Sequence, residues 1–155
     1  MKAVVQRVKN AAVTVAGNPV SDIKAGLLVL LGVARGDSES QADFLADKIV
    51  NLRIFEDDNR KMNRSLADVQ GELLVVSQFT LMGDCARGRR PSFASAARPE
   101  TARELYAHFI RRAKQTGLTV REGQFQAMMD VSLVNQGPVT LILDTDQRSG
   151  AGGKK

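Results

Sequence analysis

LVNQGPVT, residues 133–140, reads as a β-strand that stops at Gly137-Pro138 and resumes at Val139. A proline has no N–H to give to a strand ladder, so this dipeptide belongs at an edge, a bulge or a turn. Asn, Gly and Pro are ordinary turn residues, and pattern alone favours a hairpin corner between strands at 128–134 and 139–143. The alternative is a stiff tip, poor in side chains, whose backbone carbonyls and amides face a ligand or a partner.

Working outward, residues 26–34, GLLVLLGVA, are apolar almost throughout, which suits a central strand covered on both faces. Residues 2–8 and 12–15 are β-rich, and Gly17-Asn18-Pro19 turns the chain into a strand at 20–23, giving a small antiparallel meander. Ser38-x-x-Gln41 offers a capping box, and Ala42, Leu45, Ala46, Ile49 and Leu52 recur at helical spacing, predicting a helix over about 40–52. A short strand is expected at 53–55, and GELLVVSQFTL, residues 71–81, reads as a strand that turns polar at its end. Pro99 at a start, Leu105, Tyr106, Phe109, Ile110 and Ala113 along one stripe, and Gly117 beyond predict a second helix, with a strand at 119–122 after it. The expected fold is mixed α/β: a largely antiparallel sheet, curled barrel-like, with two main helices packed on it.

The chain has 155 residues, 43% of them hydrophobic, enough for one domain with its own core. The longest apolar run is far short of the roughly 20 residues a membrane span needs, and residues 1–10 lack a signal-peptide core. One cysteine, Cys85, forbids an internal disulfide, and a cytoplasmic protein is the natural expectation. The net charge of +5 overstates how basic the body is. Three of the 22 Lys and Arg (Arg148, Lys154 and Lys155) lie beyond residue 146, where there is no acid, so residues 1–146 hold 19 bases against 17 acids. The reading is a single domain over 1–146 and a flexible, Gly-rich basic tail over 147–155.

Candidate chemistry is concentrated in two places. In an extended strand end, Gln78 and Thr80 share one face; an amide, a hydroxyl and free backbone N–H groups are suitable equipment for holding a carbonyl oxygen or oxyanion. The alternative there is simply a solvated strand end. Neither Ser77 nor Thr80 has an evident activating base, because the only histidine, His108, falls near the edge of a helix's apolar stripe, where packing is its expected role. The second place is residues 87–93, RGRRPSF, where Arg87, Arg89 and Arg90 stand beside Phe93: a phosphate-binding patch or a solvated charge cluster. The acids at 56–58 do not follow the spacing of a calcium loop, and no Cys–His pairing points to Cys85 as a nucleophile, so neither a metal nor a cofactor is expected.

SQFTL at 77–81, GRRPSF at 88–93 and LVNQGPVT at 133–140, together with QRV at 6–8 and KMN at 61–63, resemble D-aminoacyl-tRNA deacylases over nearly the whole chain. The resemblance implies a homodimer in which each SQFTL site receives the Gly-Pro loop of the other subunit. It also implies a cis Gly137-Pro138 bond and tRNA, bearing its amino acid at the 3′ end, as partner. The catalytic residues so implied are Ser77, Gln78, Phe79 and Thr80, with backbone N–H groups around Gln78 and Phe79 holding the carbonyl oxygen. Gly137, Pro138, Asn135, Val139 and Thr140 would select chirality, Arg7 would brace their loop, and Arg87, Arg89 and Arg90 would contact tRNA. Two departures stand out: Met82-Gly83-Asp84-Cys85 where Tyr-Ala-Asp is common after SQFTL, and Arg60 where a glycine is common. Two other classes fit parts of the sequence: a non-catalytic RNA-binding module, and a Thr- or Ser-dependent hydrolase of small D-amino-acid derivatives.

Overall fold

The computed structural model describes residues 1–148. In chain order the elements are β1 (Lys2–Val15), β2 (Asn18–Ile23), β3 (Gly26–Gly32), α1 (Glu39–Val50), β4 (Phe55–Glu56), β5 (Met62–Arg64), α2 (Leu66–Val69), β6 (Glu72–Ser77), α3 (Pro99–Lys114), β7 (Val120–Glu122) and β8 (Met129–Asp144). One 3-10 turn, Phe79–Met82, follows β6, and a second, Thr145–Arg148, follows β8, so residues 147 and 148 belong to a turn rather than to the expected tail. The remainder of that tail lies outside the described residues.

The long strand β1 carries the sheet. Along one edge it pairs antiparallel with β3 through residues 2–8 and with β2 through residues 11–15, and along the other it pairs antiparallel with β8. Beyond β3 the sheet turns parallel, β3 to β6 and β6 to β7, and the Ser21 hydroxyl donates to the Glu122 carbonyl at 2.8 Å, drawing β2 toward β7 as the sheet curls nearly closed. The mixed, barrel-like α/β architecture is therefore the one expected. The alternation of β3 explains its unbroken apolarity: Leu27, Val29 and Leu31 pack with Ala3, Val5, Leu73 and Val75 under α1 and α3, while Leu28 faces Val8, Val13, Leu74 and Val76 on the other side.

α1 begins at the expected capping box, Ser38 with Gln41, and buries Ala42, Leu45, Ala46 and Ile49 against Phe109, Ile110 and Ala113 of α3. His108 does not serve as packing. Its ring nitrogens lie 2.8 Å from Asp43 Oδ1 and 3.3 Å from Glu39 Oε1, and with the two-pronged pair of Arg112 and Asp47 they fasten α3 to α1. α2, only four residues long, was not legible, because four residues show no helical period; Ser65 and Asp68 cap it reciprocally.

Three strand expectations are corrected. Residues 53–55 do not form a strand by themselves; β4 starts at Phe55 and pairs with β5 in a separate hairpin. β1 runs through Lys9-Asn10 as one strand, its ladder interrupted by register shifts instead of a break. β8 is likewise one strand, not two joined at a corner. Asn135 pairs with Val8 and Thr140 with Gln6, so four residues of β8 (136–139) oppose Arg7 alone. Gly137-Pro138 sits in this wide bulge, where the ladder asks no N–H of the proline.

The turn joining β4 to β5 shows what the departure at position 60 costs. Asp57 accepts from the Asn63 side chain at 2.7 Å and from the Asn59 and Lys61 amides at 2.8 and 3.0 Å, which hold its carboxyl below the ordinary aspartate range. That turn places Arg60 at φ 60°, a left-handed conformation that costs an L side chain about 1–2 kcal/mol. Glycine avoids most of this while adding about 0.5–1 kcal/mol of unfolded-state entropy. Arg60→Gly is expected to stabilise the protein by about 0.5 kcal/mol, a rise of about 1–2 °C in melting temperature; calorimetry showing a fall would contradict the strain argument.

Candidate active site

β6 releases the chain at Ser77, one residue short of the polar cluster. The strand expected through Leu81 ends there because the Gln78 carbonyl turns to accept from the Leu81 N–H at 3.2 Å, starting the 3-10 turn. Gln78 and Thr80 are therefore brought together by a turn, not by strand alternation: the Gln78 side-chain amide donates a short hydrogen bond to the Thr80 hydroxyl. The Gln78 N–H is spent on the Leu31 carbonyl at 2.8 Å, so this part of the expected donor set is not available. The backbone N–H groups of Phe79 and Thr80, by contrast, have no acceptor among the described residues. Two adjacent unpaired amides at an exposed turn, flanked by an amide side chain and a hydroxyl, are donors arranged without any competing acceptor.

The walls of this site come from the loop leading to α3. Gly32 passes close beneath the turn, where a Cβ would lie 3.0 Å from the Gln78 carbonyl oxygen. Phe79, 59% exposed, meets Phe93 edge to face with ring centroids 5.2 Å apart. Gly83 makes that contact possible, because a Cβ there would stand 3.0 Å from the Phe93 ring. Within the departure at 82–85, Gly83 thus leaves room for an aromatic pair beside the site. Asp84 and Ser92 exchange two backbone hydrogen bonds at 2.8 and 2.9 Å and close a tip that holds Arg87, Arg89 and Arg90, none with an ion-pair partner among the described residues. Cys85 is exposed in that tip. Phe93, read from the sequence beside the arginines, anchors the loop through this ring contact, whereas Ser95, whose hydroxyl donates to the Met82 carbonyl at 2.9 Å, has a structural role here that no sequence pattern signals.

The Gly-Pro loop is built as rigidly. Its peptide bond is cis, and Gly137 has φ 125°. Asn135 and Thr140 lock its base: Asn135 donates to the Thr140 hydroxyl at 2.8 Å and accepts from the Val139 N–H at 3.1 Å, while Gln6 donates to the same hydroxyl at 3.3 Å. Arg7, 6% exposed, grips the loop from below. Its Nε donates to the Gln136 carbonyl at 3.2 Å and its Nη1 to the Ile54 carbonyl at 2.6 Å. The part of Ile54, a carbonyl that any residue supplies, was invisible in the sequence.

The two centres do not meet within one chain. Ser77 pairs with Leu31, Leu31 with Ala3 and Ala3 with Leu143, whereas the Gly-Pro loop lies opposite Arg7. Three strand spacings across and four residues along put them on the order of 20 Å apart.

Comparison with known proteins agrees with the motifs. A family model described as D-Tyr-tRNA(Tyr) deacylase matches residues 4–144. The D-aminoacyl-tRNA deacylase of Syntrophus aciditrophicus is 61% identical over 145 residues, covering 94% of this chain and 97% of that one. Its counterpart from Clostridioides difficile is 59% identical over 147 residues, covering 95% and 99%. A solved structure of the c-Myc DNA unwinding element binding protein superposes with a TM-score of 0.88 at 42% identity, covering 94% of this chain and 99% of that one.

Proposed function

The chain belongs to the D-aminoacyl-tRNA deacylase family, and from that footing we propose that it hydrolyses the ester between a D-amino acid and the terminal ribose of tRNA, releasing both as a chiral proofreading step. The observation that carries the chemistry is the pair of unpaired N–H groups on Phe79 and Thr80 beside the Gln78 amide. An aminoacyl ester is already activated, so positioning it and stabilising the oxyanion that develops are sufficient catalysis, with water as the acyl acceptor. Thr80 orients water or the ribose. Its hydroxyl receives a hydrogen bond from Gln78, which draws electron density away from the oxygen, and among the described residues no base is hydrogen-bonded to it to take its proton. The sole histidine is engaged between Asp43 and Glu39.

Chirality is set by a Gly137-Pro138 loop delivered from a second copy of the chain. Two observations support this homodimer. Along the sheet the loop of the same chain lies three strands across and four residues along from the Gln78 turn, and β8, paired among the described residues only with β1, leaves one edge open with Ile142 and Val134 exposed. Main-chain atoms placed where an L side chain projects reject that enantiomer by collision and need no contact with D side chains. Glycine has no side chain to exclude, so glycyl-tRNA is cleaved as well. Translation is the setting of such a substrate, which puts the enzyme in the cytoplasm; no described helix is long and apolar enough to cross a membrane.

A non-catalytic nucleic-acid module is the second reading, favoured by the unpaired arginines at 87, 89 and 90 and by the name of the 42% identical solved neighbour. One assay separates the readings: purified protein with matched D-, L- and glycyl-tRNA and with a small D-amino-acid ester. We expect D- and glycyl-tRNA to be deacylated and L-aminoacyl-tRNA spared. Tight tRNA binding without turnover supports the module, and fast cleavage of the small ester alone supports a small-molecule hydrolase. Inert glycyl esters beside rapid D-ester cleavage refute steric exclusion.

A further inference from the structure

Resting on the deacylase reading, we propose that Arg35 and Arg98 form a phosphate subsite that holds the backbone of the tRNA acceptor end, a few nucleotides before the ester. They line a groove of about 390 Å³ with Gly36, Ala97 and Thr101, and no acid contributes to its lining. Both arginines are exposed and neither has an ion-pair partner among the described residues. The adjoining groove, where Asp37, Glu39 and Glu104 stand among the basic residues, offers phosphate no such environment.

The backbone presents these two guanidinium groups deliberately. Ala34 and Ala96 pair across a β-bridge, the Arg35 N–H donates to the Ser95 carbonyl at 2.8 Å, and the Ala97 N–H donates to the Val33 carbonyl at 3.0 Å. Arg35 itself sits in a turn fixed by Asp37, whose carboxylate accepts from the Ala34 N–H at 2.6 Å and from the Met1 amino group at 2.7 Å. Asp37 is thereby engaged by the Met1 amino group and forms no ion pair with Arg35. Arg98 is the N-cap of α3 but makes no side-chain cap, and Pro99 at the first helical position has no N–H. The Glu100 and Thr101 amides add a partial positive charge to the same groove, which the Glu100 carboxylate offsets in part.

Position ties the groove to the site. Ser95, whose carbonyl holds Arg35, also bonds through its hydroxyl to the Met82 carbonyl at the end of the Phe79–Met82 turn. Leu31, which anchors the Gln78 N–H, is four residues from Arg35, a reach of at most about 14 Å. A polyanionic chain whose 3′ end lies at Gln78 and Thr80 passes Arg35 and Arg98 as it leaves; bidentate guanidinium contacts suit its phosphates.

The test compares two substrates: full D-aminoacyl-tRNA and a phosphate-free 2′(3′)-O-D-aminoacyl-adenosine. For Arg35→Ala and Arg98→Ala we expect kcat/KM on the tRNA to fall about tenfold at moderate salt, mostly through KM. Each should reduce the slope of log(kcat/KM) against log salt by about one, as loss of one phosphate contact does. Cleavage of the adenosine ester should stay within twofold, and Arg98→Lys should restore part of the loss. Unchanged salt slopes, or equal losses on both substrates, overturn the subsite while leaving the deacylase reading intact. If the wild-type protein spares D-aminoacyl-tRNA altogether, the deacylase reading itself falls and the subsite falls with it.

Discussion

Arg7→Ala is expected to narrow the preference for D- over L-aminoacyl-tRNA about a hundredfold in a protein that still folds. The guanidinium makes three contacts. Nε bonds the Gln136 carbonyl inside the bulge, Nη1 bonds the Ile54 carbonyl outside it, and Nη2 packs beneath Gly137, 3.1 Å from where a Cβ would stand. A steric filter discriminates only while it cannot yield. Without Arg7 the cis Gly137-Pro138 segment keeps the Asn135–Thr140 lock at its base but loses its support from below. Hydrogen bonds to charged groups contribute about 1.5–3 kcal/mol each, and a hundredfold change in selectivity is about 2.7 kcal/mol, so one released bond is of the right size. The fold should lose less. Both acceptors are carbonyls, which tolerate under-satisfaction better than donors, and the melting temperature should drop by no more than about 10 °C. Kinetics on matched D and L esters give the ratio; unchanged discrimination in a folded variant would remove Arg7 from the filter. Arg7→Lys retains the charge without the forked grip and should fall between the two.

What could be read from the sequence follows from where the information resides. β3, α1 and α3 were legible because burial imposes a period on their own residues: Leu27 to Leu31 on two faces, Ala42 to Ile49 and Leu105 to Ala113 on one stripe. The continuity of β8 was not, since it depends on pairing with a strand more than 110 residues away, and its own pattern does contain a proline and a glycine where a strand should fail. The bulge reconciles the two. At the candidate turn the motif named the residues but misjudged their backbone. Alternation places Gln78 and Thr80 on one face of a strand, whereas the 3-10 turn joins them directly, keeps the expected Phe79 donor, and replaces the Gln78 N–H by that of Thr80. Contacts made through main-chain atoms, such as Ile54 to Arg7 and Ser95 to Arg35, leave no trace in residue identity at all.

That turn geometry makes the role of Thr80 a decidable matter. Thr80→Ala is expected to lower kcat on D-aminoacyl-tRNA by about 10- to 100-fold without abolishing turnover, and no acyl-enzyme should be trapped by rapid quench from the wild-type protein. Loss of one positioned donor in an oxyanion site typically costs about 10²–10³ in rate, and a hydroxyl that orients water or ribose belongs at or below the lower end of that range. A nucleophile behaves differently, because its removal leaves no route for the covalent step. The Gln78 amide donating to Thr80 is an arrangement that opposes nucleophilic attack, and among the described residues no imidazole or carboxylate is hydrogen-bonded to the Thr80 hydroxyl to reverse it. The proton relay must then come from the substrate. A tRNA ending in 2′-deoxyadenosine, esterified at its 3′ oxygen, should be cleaved at least 100-fold more slowly, within the 10²–10⁴ range of general acid–base assistance. Abolished activity in a folded Thr80→Ala dimer, together with full activity on the deoxy substrate, would reverse the assignment and make Thr80 the nucleophile.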